Sequence, residues 1–104
     1  MEFSQLVEKA LSLRKKYEEM ERSRYGSSWT SEELALGFVG DVGDLAKLVV
    51  AENGKRAIPD SRKKLEHELA DCLWSVIVLA NAHGIDLERS FLQTMNDLEE
   101  HLAK

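Results

Sequence analysis

Apolar positions recur every three or four residues along most of the chain, and nowhere do they alternate with polar ones over a useful length. That spacing belongs to helices with one face turned inward, and it leaves no segment for a strand. The first run is Phe3, Leu6, Val7, Ala10, Leu13, Tyr17 and Met20, with Lys, Arg and Glu between them. It predicts a helix from Phe3 to about Arg24, followed by a loop from Tyr25 to Trp29. Thr30 and Glu33 then stand at the spacing of a capping box, so a second helix starts near Ser31. Asn53-Gly54 ends it as a left-handed cap. The third helix opens after the only proline, Pro59, with Asp60 as N-cap, and closes at Gly84. Asp86 caps a fourth, whose Leu87, Phe91, Met95, Leu98 and Leu102 share one face. Four helices with short links predict an all-α, antiparallel four-helix bundle. A length of 104 residues predicts one domain covering 1–104.

The middle helices are apolar on two sides. On the second, Leu34, Phe38, Val42, Leu45 and Val49 form one stripe, and Leu36, Val39 and Val50 form a patch roughly opposite. On the third, Leu65, Leu69, Cys72, Val76 and Ala80 lie on one side, with Trp74 and Ile77 on another. A helix with two apolar faces needs cover on both. The pattern predicts a homo-oligomer, a dimer or tetramer, with these two helices at the interface. A ligand pocket is the other use for such side chains.

Charge narrows the function. The formal net charge is −5, which excludes a general binder of polymeric nucleic acid, since that requires a basic face. A nucleotide brought in with a metal ion remains compatible. The single cysteine, Cys72, allows no internal disulfide and reads as a small core residue. The N-terminus carries no basic start followed by an apolar block. The longest apolar run, Leu69 to Ala82, is interrupted by Asp71, Ser75 and Asn81 and is too short to span a bilayer. A soluble cytoplasmic protein with no membrane partner is the expectation.

Some residues offer little. His67, His83 and His101 share no zinc spacing and read as surface or capping residues. Gly37, Gly40 and Gly43 lie inside a helix with no preceding strand, so they are neither a dinucleotide nor a P-loop fingerprint. They leave room for a neighbouring helix or for a ligand. Lys55, Arg56, Arg62, Lys63 and Lys64 form either a solvated surface or a rim that reaches phosphate.

The strongest chemical signal is four carboxylates in two pairs. Asp41 and Asp44 stand three apart in the second helix, and Glu68 and Asp71 three apart in the third. An i,i+3 pair lies on one helix face, one turn apart. Two such helices side by side aim four acids at one place. Carboxylates beside apolar surface call for a positive charge between them, and Mg²⁺ or Mn²⁺ takes oxygen ligands. A solvated acidic face is the competing reading of the spacing alone.

The segments GDVGDLAKL and LEHELADCLWSVIVLANAHGIDLERSF resemble the MazG-type all-α nucleoside triphosphate pyrophosphohydrolases, over roughly Trp29 to Met95. That family carries Glu-Glu-x-x-Glu on one helix and Glu-x-x-Asp on the next. Here the second half is intact as Glu68-x-x-Asp71, while the three glutamates of the first half fall on Gly40, Asp41 and Asp44. The resemblance implies Mg²⁺ held by Asp41, Asp44, Glu68 and Asp71, with Asp41 and Glu68 serving catalysis. It implies hydrolysis of a nucleoside triphosphate to a monophosphate and pyrophosphate. Lys47 then contacts phosphate, and Trp29 stacks on the base or packs the loop. Glu33 and Glu66 are candidate substitutes for the carboxylate missing at Gly40. The alternative is a catalytically weak or inactive relative that binds nucleotide or a protein partner on the same fold.

Overall fold

The computed structural model describes residues 1–104 as four helices and no strand. Helix α1 spans Phe3–Tyr25, α2 Ser31–Glu52, α3 Ser61–Ala82 and α4 Leu87–Ala103. Local chemistry sets these bounds. Gly26 ends α1 in the left-handed region at φ 84°, which a residue with a Cβ resists. The capping box forms as expected: Glu33 N–H donates to Thr30 Oγ1 at 3.2 Å, and Thr30 N–H to Glu33 Oε1 at 3.1 Å. Glu33 is thereby spent on the helix start and does not stand in for a carboxylate at Gly40. Gly54, at φ 76°, turns the chain out of α2, and Lys55 N–H donates to the Val50 carbonyl. Asp86 caps α4 by accepting from Arg89 N–H at 3.1 Å. Asp60 differs from expectation. It precedes α3 with φ 54°, and its side chain makes no cap hydrogen bond.

Helix α3 is the centre of the molecule. It packs along α2 on one side and against α1 on another. Cys72, Ile77, Val78 and Ala80 of α3, with Leu48 of α2, are the buried apolar residues. Trp74 fixes α1 to α3: its Nε1–H donates to the Ala10 carbonyl at 3.0 Å, and its ring lies 5.5 Å from that of Tyr17. Trp74 and Ile77, expected at an interface between copies, are thus covered by α1 of the same chain. The α2 half of that patch is not covered, with Leu36 and Val39 74% and 69% exposed.

The inward face of α1 also departs from its apolar pattern. Leu6, Leu13 and Tyr17 are partly exposed, while Arg14 and Glu21 are buried. These two stand two turns apart on one face and form a bidentate pair, with Nη1–Oε2 at 2.9 Å and Nη2–Oε1 at 3.1 Å. Each charge is neutralised by the other, which is what allows both to leave water.

The largest correction concerns α4, which does not close the bundle. Its start borders a small cavity where Leu87 faces Phe3 and Ile77, and Met95 further along is half-buried. Beyond that, Phe91, Leu92, Leu98 and Leu102 are exposed. The radius of gyration is 16.6 Å, against about 13 Å for a compact chain of this length. The accessible surface is 8156 Å², against roughly 5,900 Å² for a compact monomer of 11.8 kDa. The sequence pattern says that α4 has a face to cover. It does not say what covers it.

Candidate functional site

Asp41 and Asp44 of α2 and Glu68 of α3 converge. One carboxylate oxygen from each lies within 4.8 Å of the other two. Asp41 and Glu68 are half-buried, and Asp44 is exposed. No lysine or arginine is within ion-pair distance of any of the three. Glu68 is held above the usual carboxylate range, first by burial and then by the charges of Asp41, Asp71 and Asp44. The trio therefore concentrates negative charge without a protein cation to balance it.

This donor set fits a divalent cation. All the ligand atoms are carboxylate oxygens, which hard cations prefer. Oxygens on one Mg²⁺ stand about 3 Å apart when adjacent and about 4.2 Å apart when opposite, so the trio draws together to take one.

The fourth predicted acid, Asp71, does not join the trio. Its Oδ2 lies 3.1 Å from Nε2 of His67, one turn back on the same helix. Sequence reasoning set His67 aside for lack of zinc spacing. The signal that could have found it was the i,i+4 spacing to Asp71, which brings an imidazole and a carboxylate together on a helix face.

The trio borders two cavities. The first, of about 600 Å³, lies between α1, α2, α3 and the loop before α2 and opens to solvent. Tyr17, Tyr25, Trp29, Phe38 and Trp74 give it aromatic walls, and Asp41 and Asp71 reach it from the acid side. Trp29 is seated there by two contacts. Its N–H donates to Glu21 Oε1 at 2.9 Å, and its ring edge comes within 3.5 Å of where a Cβ on Gly37 would be. Gly37 thus makes room for the indole. Gly40 and Gly43 have no neighbour within 4 Å of such a Cβ, so no helix approaches closely at those positions. The second cavity, of about 510 Å³, lies towards the α2–α3 loop and takes in Asp44, Glu68 and Lys47. Lys47 and Trp29, the two predicted substrate contacts, therefore stand in different cavities. His67 borders both.

Cys72 is no candidate nucleophile. It is buried, and burial, then the nearby acids Asp41, Glu68 and Asp71, push its thiol pKa up.

A profile of the MazG nucleotide pyrophosphohydrolase domain matches residues 29–101. The chain belongs to that family. No curated protein and no solved structure matches it. The MazG match begins at Trp29 and contains all three acids of the trio, together with Asp71 and His67. It leaves α1 outside, although α1 supplies Tyr17 and the Arg14–Glu21 pair to the aromatic cavity. Gly40, where the MazG pattern stated above has a glutamate, is open on the side a new side chain would leave the backbone. No helix of this MazG chain is long and apolar enough to cross a membrane.

Proposed function

We propose that this MazG-family chain hydrolyses a nucleoside triphosphate between the α and β phosphates, giving a monophosphate and pyrophosphate, with Mg²⁺ or Mn²⁺ as its metal. The observation that carries this reading is the unpaired carboxylate trio at the wall of an aromatic cavity large enough for a nucleoside. When bound, the cation supplies charge neutralisation on phosphate oxygens and a more acidic water. Asp41, Asp44 and Glu68 hold it. Asp41 and Glu68 also orient the attacking water, whose oxygen bonds to the α phosphorus as the bridging oxygen leaves with pyrophosphate. Asp71, whose Oδ2 is paired with His67, would be the fourth acid beside the cation. Trp29 stacks on the base from its seat against Gly37, and Lys47 meets phosphate from the other cavity.

The working unit in this proposal is a homo-oligomer, a dimer or tetramer. The chain exposes roughly 2,200 Å² more than a compact monomer of its mass. Obligate interfaces bury 2,000–5,000 Å² in total. The exposed faces of α2, at Leu36 and Val39, and of α4, at Phe91 and Leu98, supply the apolar surface for it.

Gly40 favours a second reading, a nucleotide-binding module with weak or no turnover. A missing catalytic carboxylate costs on the order of 10²–10⁴-fold in rate. A screen of common and modified NTPs and dNTPs for Mg²⁺-dependent pyrophosphate release separates the two. Release from at least one nucleotide supports the hydrolase, and tight Mg²⁺-nucleotide binding without release supports the module.

A further inference from the structure

Trp29 is 48% exposed, so the indole that walls the aromatic cavity is not there to fill a core. The loop that carries it has one tether. Of Ser27, Ser28 and Trp29, only Trp29 makes a hydrogen bond, from its backbone N–H to Glu21 Oε1 at 2.9 Å. Glu21 is fixed in turn by Arg14, which donates from Nη1 to Oε2 at 2.9 Å and from Nη2 to Oε1 at 3.1 Å. Arg14 Nε lies 3.6 Å from Glu18, and Glu18 lies 3.7 Å from Arg22. A row of charged side chains along α1 therefore ends at one backbone N–H of the loop. Helix α1 is itself pinned to α3 by the Trp74 Nε1–H on the Ala10 carbonyl. Ala10 and Glu21 are roughly 16 Å apart along the helix axis, so α1 acts as a strut between the helix that carries Glu68 and the loop that carries Trp29.

A buried ion pair is a poor source of stability, because apolar side chains of similar volume do as well or better in such a place. What apolar side chains cannot do is accept the Trp29 N–H. Resting on the nucleotide reading of the aromatic cavity, we propose that Glu21, held by Arg14, is the positioning residue for Trp29, and that α1 thereby sets the affinity for the base.

Glu21 acts through Trp29 and not on the base. Its Oε1 already accepts from both Arg14 and Trp29, and its Oε2 accepts from Arg14. The effect falls on binding and not on the bond cleaved, since Asp41, Asp44 and Glu68 belong to α2 and α3. The matched family region starts at Trp29, so the indole lies inside it while the residues that place the indole lie outside.

The test compares two double variants that differ only in the acceptor. Arg14→Met with Glu21→Leu removes both charges together and leaves apolar side chains of similar size, so the fold is kept. Arg14→Met with Glu21→Gln keeps a carbonyl oxygen for the Trp29 N–H. The probes are the α,β-methylene analogues of ATP, GTP, CTP and UTP, in which the bond between the α and β phosphates is not cleaved, titrated by calorimetry in excess Mg²⁺. Trp29→Ala weakens the analogue that binds the wild type by about tenfold or more, the usual worth of a base stacked on an aromatic ring. The first double variant is weakened nearly as far, and the second much less. Combined with Trp29→Ala, the first adds no further loss, because effects that act through one group are not additive. For any nucleotide that the chain turns over, the first double variant raises KM and changes kcat little.

Equal affinities of the two double variants overturn the positioning role, and so does a loss that persists undiminished once the indole is gone. A wild-type chain that binds none of the analogues overturns it too, whatever the chain cleaves. Amide hydrogen exchange needs no variant: relative to intrinsic rates, the Trp29 N–H exchanges more slowly than those of Ser27 and Ser28, and equal protection overturns the tether. Analogue binding that depends on the acceptor, in a chain that cleaves no nucleotide, upholds the positioning role and removes the hydrolase reading.

Discussion

Glu21 Oε1 accepts the backbone N–H of Trp29 at 2.9 Å, and through this bond the first helix holds the loop that carries the aromatic wall of the candidate site. The same carboxylate is gripped by Arg14. Glu21 is held below the usual carboxylate range, chiefly by the Arg14 hydrogen bond and also by Trp29 N–H, against the opposing effect of burial.

That depression sets a pH dependence. A carboxylate whose pKa is lowered on folding contributes stability above its ordinary value near 4.5, and the contribution is lost as pH falls through the folded value. Glu21→Gln is therefore less stable than the wild type at pH 7, and the gap narrows below pH 4.5. Thermal denaturation of both chains between pH 7 and pH 3 measures it. Glu21→Ala costs more, because it removes both hydrogen bonds to Arg14 and leaves that buried guanidinium only its longer contact with Glu18 at 3.6 Å. The loss is near the lower end of about 3–5 kcal/mol, since the pair faces a cavity open to water.

Glu68 has the opposite sign. Its pKa is raised on folding, so its charge costs stability once pH rises through the folded value. Glu68→Gln raises the melting temperature of the metal-free protein at pH 7. The same change removes the stabilisation that Mg²⁺ gives the wild type by binding the folded state. A Mg²⁺-induced melting shift that survives Glu68→Gln would show that Glu68 takes no part in holding the cation.

Gly40 tests the missing glutamate. No neighbour stands within 4 Å of a Cβ there, so the steric objection to a side chain falls away. Gly40→Glu stabilises the helix by up to about 1 kcal/mol, and it raises pyrophosphate release. Steady-state assays of the folded variant decide. If it binds Mg²⁺-nucleotide without faster turnover, the glycine is not what limits catalysis.

If the exposed faces of α2 and α4 pair between copies as proposed, sedimentation at micromolar concentration is expected to detect an oligomer. Phe91→Glu or Val39→Glu dissociates or unfolds it, since each puts a charge on surface that is apolar and exposed in one copy. A wild-type chain that sediments only as a monomer would contradict this.

Helix bounds were readable in the sequence because caps are local. Thr30 with Glu33, Gly54 and Asp86 each act within a few residues of themselves. The acids were readable for a related reason: i,i+3 spacing fixes a shared helix face, and the trio confirms that α2 and α3 present those faces to each other. What pairing takes away was less visible. Asp71 is turned to His67, and neither spacing nor composition says which of two neighbours an acid will choose. The buried Arg14 and Glu21 were hidden among apolar residues of the same helix, because two charges enter a core only when they find each other. The detachment of α4 was not readable at all. An amphipathic pattern records that a face needs cover, and cover by another chain leaves the same pattern.

Product analysis of Mg²⁺-dependent nucleotide turnover, with Glu68→Gln run alongside, decides whether the trio serves cleavage between the α and β phosphates. Nucleoside monophosphate and pyrophosphate are expected in equal amounts from the wild type, and neither from Glu68→Gln or after chelation of the metal. Release of orthophosphate with a nucleoside diphosphate, or equal turnover by Glu68→Gln, would contradict it.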